Sequence, residues 1–275
     1  MDRFNVDGLE LAYELNGEGQ PVVLIHAAAF TPWYQPLVER MPQYSTLRYT
    51  RNPTRADSGG LSPLTLSADA GACAKLLAHI GWPAAHVVGH SYGALVALRL
   101  AQESPGVVRS LALLEPAIRE IPSAEQVRVA MAPVMAAYRA GDKETAIDLF
   151  LQHVCGADYR QSLDTRLPDS FRVSVEYADV FFQVEIPVVQ EWSLGSGPIH
   201  QPVLNVLGSR SERRFVEGAE LLQAWLPHAE RFTLPDAGHL LQVENPAGLA
   251  TKLGEFFDRH LGGTYHAGPH RSLTG

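Results

Sequence analysis

Short, unbroken apolar runs recur along the chain: Pro21 to His26, His86-Val87-Val88, Ser110 to Leu114, and Pro202 to Leu207. Strands buried on both faces read this way, because neither face needs to alternate with polar residues. Helical patterns separate the runs, at Thr65 to Ile80, Ser91 to Glu103, Arg213 to Trp225 and Pro246 to His260. Run, helix, run is the signature of an α/β chain: a mostly parallel central sheet covered by helices on both faces. Ahead of this, residues from Arg3 to Leu15 alternate apolar and polar around Asp7-Gly8 and predict a hairpin. Between 117 and 201 the texture changes. Ser123 to Ala140, Asp142 to Val154, Asp169 to Phe182 and Ile186 to Glu191 carry helical spacing, with no sheet-like run among them. The expected division is a core of residues 1–116 and 202–262, an all-helical insertion of 117–201 lying over the strand ends, and a flexible tail of 263–275.

One junction concentrates chemistry. The run Ala85 to Val88 leads into Gly89-His90-Ser91-Tyr92-Gly93, and a helix of small apolar residues follows at once. Gly-x-Ser-x-Gly at a strand-to-helix turn lifts a serine hydroxyl clear of the sheet at a strained corner. The two glycines let strand and helix approach that corner closely. The Tyr92 amide opens the helix and points to where negative charge would develop. Far downstream, the strand-like run Arg231 to Leu234 and the loop Pro235-Asp236-Ala237-Gly238 lead to His239, an imidazole suited to exchanging a proton with Ser91. Of the other histidines, His90 reads as packing.

These residues carry a resemblance. The His26-Ala27-Ala28 turn, the elbow at Ser91, and Ala237-Gly238-His239 after the last strand are similar to those of the α/β-hydrolase-fold superfamily, in the form of a serine hydrolase with a helical cap. The resemblance implies a serine nucleophile, an acid and a histidine base, with a backbone oxyanion hole. It places the oxyanion donors at Tyr92 and Ala28, where Ala27 replaces the usual glycine. It also implies an acid in a Gly-x-x-Asp turn after the penultimate strand, but that slot here reads Gly208-Ser209-Arg210-Ser211. Two carboxylates are available instead. Glu115 ends the strand after the elbow helix, as in certain haloalkane dehalogenases, and Pro116 is expected to hold it extended. Glu212 lies one residue beyond the usual slot. Glu115 is the preferred reading, with Glu212 and the lack of any carboxylate partner as the alternatives. The family's Asp-x-Arg-Gly-x-Gly-x-Ser turn survives only at Arg51 and Ser58.

The pocket is expected between the oxyanion loop and the cap, walled by Phe30, Trp33, Tyr34, Tyr138, Phe181, Phe182 and Trp192, with Arg119, Arg128 and Glu185 as polar lining. That favours a small, mainly apolar ester, thioester or lactone, cleaved through an acyl-enzyme on Ser91. The other readings are a C–C bond hydrolase, lyase or cyclase on the same fold, and a non-catalytic ligand-binding member.

Composition narrows the partners. The 275 residues are 46% hydrophobic and 19% charged, with a formal net charge of -8, and no Lys/Arg cluster marks a nucleic-acid footprint. No apolar stretch is long enough to span a bilayer, and the first residues carry no apolar signal region. The expectations are a cytoplasmic protein with a small-molecule substrate, no nucleic acid and no membrane partner, and an open choice between monomer and homodimer. Cys73 and Cys155 have no metal-ligand spacing and read as buried thiols. No metal or organic cofactor is implied.

Overall fold

The apolar runs form the middle of one sheet. In a computed structural model, which describes residues 1–7, 9–27, 31–50, 65–195 and 197–261, the strands are β1 (Asp2–Val6), β2 (Leu9–Asn16), β3 (Gln20–Ile25), β4 (Tyr44–Thr50), β5 (Ala85–His90), β6 (Val108–Leu114), β7 (Val203–Gly208) and β8 (Glu230–Leu234). They lie in the order β1-β2-β4-β3-β5-β6-β7-β8. β1 pairs antiparallel with β2 and β2 with β4, and every later pairing is parallel. β1 and β2 are the hairpin read around Asp7. β4 was not expected, because Tyr44-Ser45-Thr46-Leu47-Arg48-Tyr49-Thr50 mixes polar and apolar residues. It is buried nonetheless, with Arg48 paired to Glu14 at 2.6 Å and the Thr46 hydroxyl donating to the Asn16 carbonyl at 3.2 Å. The segment beyond it, with Arg51 and Ser58, lies outside the described residues.

The helices follow in chain order: α1 (Gln35–Val38), α2 (Leu66–His79), α3 (Tyr92–Glu103), α4 (Ala124–Ala130), α5 (Ala132–Arg139), α6 (Lys143–Cys155), α7 (Tyr159–Arg166), α8 (Ser170–Glu176), α9 (Ala178–Val180), α10 (Ile186–Glu191), α11 (Arg213–Trp225), α12 (Leu241–Glu244) and α13 (Pro246–Asp258). Thr65 caps α2 by accepting from the Ala68 amide at 3.1 Å. The long spacing read over Ser123 to Ala140 breaks at Met131 into α4 and α5, where Pro133 fits only a first turn. α7 escaped the periodicity because its Tyr-Arg-Gln-Ser-Leu-Asp-Thr-Arg sequence has just two apolar residues to bury.

Side chains alternate along the parallel strands and fill two cores. Val23 and Ile25 pack with α2 and α3 on one face, and Val22 and Leu24 pack with α1 and α13 on the other. A third cluster joins Ile147, Leu151, Leu163 and Phe171 of the helical segment to Trp33, Phe215 and Leu240 of the core. The helices between β6 and β7 therefore seat on the loops at one edge of the sheet. Residues 263–275, read as a tail, are outside the described residues. Among the described residues, no helix is long and apolar enough to cross a membrane.

The tightest place in the core is the β5–α3 corner. A Cβ on Gly93 would lie 2.1 Å from the Ile25 carbonyl oxygen, and one on Gly89 would lie 2.5 Å from that of Gly93. Both obstacles are backbone and cannot swing aside. Gly93→Ala is expected to cost about 3 kcal/mol or more, at or beyond the upper end of overpacking, read as a lowered midpoint in urea unfolding. Gly71→Ala, which meets nothing within 4 Å, serves as the comparison.

Candidate active site

Ser91 occupies the corner between β5 and α3 with φ 54° and ψ -114°, a conformation an L-residue adopts only when its surroundings impose it. Those surroundings are hydrogen bonds to the neighbouring strand end. The Ser91 amide donates to the Leu114 carbonyl at 2.9 Å, and the Ser91 carbonyl accepts from the Ala94 and Ala117 amides at 3.1 and 3.3 Å. The elbow and the turn after β6 are thus stitched together, which brings Glu115 beside the serine's strand.

Glu115 is not the extended strand end expected before a proline. β6 stops at Leu114, and Glu115 has φ 45°. Its amide still bonds the Val206 carbonyl at 3.1 Å, so the backbone turns only after the last ladder bond. The turn carries the carboxylate across the end of β7. There Oε1 accepts from the Gly208 amide at 2.7 Å and from the Ser211 hydroxyl, and Oε2 lies 2.7 Å from Nδ1 of His239. The serine standing where the family pattern has an aspartate therefore holds the carboxylate that comes from the adjacent strand. Glu212 caps the start of α11, exposed, and among the described residues makes no bond to His239.

His239 is held from several sides. Its ring stacks on Phe215, with centroids 4.0 Å apart and 10° between planes, and leans on His90 at 4.6 Å. The loop before it is pinned by the Gly238 amide donating to Glu244 at 2.5 Å and the Asn245 side chain donating to the Pro235 carbonyl at 2.9 Å. His90 Nε2–H donates to the His239 carbonyl at 2.9 Å, and its Nδ1 accepts from Gln242 at 3.3 Å. That network sets the His90 tautomer. Burial, then the neighbouring His239, push its pKa down to about 3, so His90 stays neutral and positions the loop. With Nδ1–H of His239 given to Glu115, the lone pair on Nε2 is the one left for a proton.

The pair is deeply buried, His239 at 4% and Glu115 at 1% exposure. Burial raises the Glu115 carboxyl well above the usual carboxylate range, against the Ser211 and Gly208 donors that pull it down. Burial, and after it the Arg214 guanidinium, lower His239. Both shifts keep the resting imidazole neutral, the state in which it accepts a proton. Among the described residues, no group of His, Cys, Asp and Glu is arranged to hold a metal. Cys73 and Cys155 are free thiols, both raised by burial.

Ser91, Tyr92 and His239 line one cavity of about 500 Å³ beneath the helical segment, together with Ala27 and Trp33. The Ser91 hydroxyl and the imidazole make no hydrogen bond to each other here, as is common before substrate is bound. Ala28 and Phe30 lie outside the described residues. Tyr138 and Phe182 do not wall the cavity. They stack on each other at 4.3 Å, and the Tyr138 hydroxyl is taken by Asp179 at 2.9 Å. Trp33 and Phe181 line it as expected, and Phe150 and Phe215 stand where Tyr34, Tyr138, Phe182 and Trp192 were expected, with Met131 and Met135 beside them. Arg119, Arg128 and Glu185 line it as read, and Arg139 and Arg214 join them. Arg214 and Phe215 were passed over in the sequence. Their signal was position, since they open the helix that follows the strand end bearing Gly208.

A sequence model of the "Alpha/beta hydrolase family" matches residues 22–252. The chain is 35% identical over 115 residues to the dihydrolipoyllysine-residue acetyltransferase component of the acetoin cleaving system of Cupriavidus necator. That match takes in 41% of this chain and 31% of the relative, so the chain spans less than a third of that protein's length. Among solved structures, an enol-lactonase from Burkholderia xenovorans LB400 superposes with a TM-score of 0.80 at 20% identity, covering 94% of this chain and all (100%) of that one. A thermophilic esterase from Thermogutta terrifontis gives 0.70 at 19% identity, covering 95% and 100%.

Removing one donor from the Glu115 carboxylate tests how it is held. Ser211→Ala deletes a hydrogen bond that favours the ionised form, so the carboxyl pKa should rise further. A hydrogen bond to a charged group is worth ~1.5–3 kcal/mol, and at 1.36 kcal/mol per unit that is an upward move of roughly 1–2 pH units. NMR titration of the His239 ring protons reads it.

Proposed function

The chain belongs to the alpha/beta hydrolase family, and within it we propose a serine hydrolase that cleaves a small carboxylic ester, thioester or lactone through an acyl-enzyme on Ser91. One observation carries the reading. The imidazole of His239, oriented by a buried carboxylate 2.7 Å away, opens onto the same cavity as a serine held at φ 54°. A hydroxyl at neutral pH is a poor nucleophile until a base takes its proton, and a base is effective only when held in one tautomer.

The steps follow from that arrangement. Ser91 Oγ attacks the substrate carbonyl while its proton passes to Nε2 of His239. The imidazolium so formed is stabilised by ionised Glu115. Negative charge on the carbonyl oxygen is met by the Tyr92 amide at the start of α3 and by a second donor assigned to Ala28, each such donor being worth ~3 kcal/mol in the transition state. His239 returns the proton to the leaving oxygen or sulfur, and the acyl-enzyme forms. Water then attacks the acyl carbon, its proton passing through His239 to Ser91 Oγ as the carboxylic acid leaves. The helical segment 117–201 acts as a cap that roofs the cavity with apolar side chains, which selects small, mostly apolar acyl groups. The ester and lactone cleavage named for the two structural relatives supports this substrate class.

Ser91→Ala should keep the fold, because the Ser91 side chain caps nothing. It should abolish both turnover of para-nitrophenyl esters and labelling by a fluorophosphonate. Labelling that persists in this variant would remove Ser91 from the mechanism. Glu115→Gln should lower kcat by up to ~10⁴-fold, as amide replacement of such an acid does elsewhere, whereas Glu212→Gln should leave it within a few fold. The pH profile is fixed in sign. The active form has Glu115 ionised and His239 neutral, so activity falls as pH drops and the pair takes up a proton. Because burial raises the Glu115 carboxyl, the acid limb of kcat/KM should lie above the ordinary glutamate value of about 4.3.

A further inference from the structure

The protein as a whole is acidic, with a formal net charge of -8. Its cavity is not. The charged side chains on the wall are Arg119, Arg128, Arg139, Arg214 and a single acid, Glu185. Arg119, Arg128 and Arg139 are exposed, and Arg128 is clasped by Glu125 through Nε and Nη2 at 2.7 and 2.6 Å. Arg214 is different. It is half-buried in the first turn of α11, beside the Phe215 ring that stacks on His239. Its Nη2 donates to the His153 carbonyl at 2.9 Å and to the His153 ring nitrogen. That partner brings no charge, since burial and then Arg214 itself push the His153 pKa down to about 4. Among the described residues, no carboxylate makes an ion pair with Arg214, although Glu212 two residues before it acts on it through the field, and its Nε and Nη1 donors take no acceptor.

A guanidinium drawn partly out of water without an anion is costly, and an arriving anion recovers the cost. Either remaining donor, at Nε or at Nη1, can give a carboxylate oxygen a charge-assisted hydrogen bond. One unpaired cation fits one negative charge. The apolar side chains that line the same cavity, Phe150, Phe181 and Met135 among them, would carry a short methylene chain. Exposed Arg119 and Arg139 would draw an anion toward the opening against the acidic remainder of the surface.

We propose that Arg214 binds a carboxylate carried by the substrate, so that the ester or lactone cleaved belongs to an acid with a second, free carboxylate on a short chain. This rests on the hydrolytic reading of Ser91 and names the substrate class of that site. Arg214 acts as a specificity residue. The competing role is a strut, in which the bond to His153 only ties α11 to α6.

Two esters of equal chain length separate these roles: para-nitrophenyl pentanoate, which is neutral, and the mono-para-nitrophenyl ester of glutaric acid, which ends in a carboxylate. The wild-type protein should prefer the half-ester. Arg214→Gln should reduce kcat/KM for the half-ester about 10- to 100-fold more than for the neutral ester, the range for a hydrogen bond to a charged group, and mainly through KM. Arg214→Lys, which keeps the charge and loses the directed guanidinium donors, should retain part of the preference. Equal losses on both esters would make Arg214 a strut and overturn the proposal, as would a wild-type protein that favours the neutral ester. Should neither ester be turned over, the hydrolytic reading fails, and calorimetry still decides the anion site. Monomethyl glutarate should bind the Ser91→Ala protein and lose that affinity when Arg214→Gln is added, whereas equal affinity in both proteins would overturn the site.

Discussion

A carboxylate and an imidazole, 2.7 Å apart and out of reach of water, set the terms for everything around them. A buried carboxylate is costly unless its oxygens are hydrogen-bonded. Glu115 meets that demand with the Gly208 amide, the Ser211 hydroxyl and the His239 ring. Each of these donors sits at a different strand end or loop. The pair therefore requires β6, β7 and the loop after β8 to finish in register at one edge of the sheet. The parallel pairings of Leu114 with Val206 and of Gly208 with Leu234 provide that register.

The same edge holds the backbone strain. Ser91 and Glu115 both take positive φ without being glycine, each at a cost on the order of 1–3 kcal/mol. They are joined through the Ser91 amide and the Leu114 carbonyl, so neither relaxes without displacing the other. Two packed cores beneath and a third cluster above hold the corner in place. In the proposed mechanism that rigidity serves the chemistry, because a serine and a base that drift apart by about an ångström lose most of their effect.

Electrostatics divides the molecule in two. The surface is acidic overall, while the cavity wall is rich in arginine. Burial, and after it Arg214, lower the His239 imidazole, and Arg214 makes no ion pair among the described residues, Glu212 acting on it only through the field. The base and the proposed substrate anchor are thus neighbours in one field, and a bound carboxylate would neutralise the charge that presses on the imidazole. Binding and proton transfer would then be coupled without any movement of the backbone.

Local pattern determined much of this protein. The double-sided apolar runs specify buried parallel strands, the alternation around Asp7 specifies a hairpin, and Gly89 and Gly93 flank the one corner where strand and helix nearly touch. His239 is legible too, from its place after the last strand. β4 and α7 were not, because polar residues such as Arg48 and Thr46 are buried through partners distant in sequence, Glu14 and Asn16. The acid was legible only as a choice. Glu115 and Glu212 both stand near strand ends, and position at the end of the strand after the elbow helix favoured Glu115 without showing which carboxylate turns inward. The tertiary structure decided it, by bending the backbone at Glu115 against its proline and giving Ser211 to the carboxylate. The cavity wall was likewise a matter of tertiary packing. Tyr138 and Phe182 found each other, and Phe150, Phe215 and Arg214 took places in the cavity wall. Periodicity places a side chain on one face of its own element, but which element faces which is set by contacts between residues far apart in the chain.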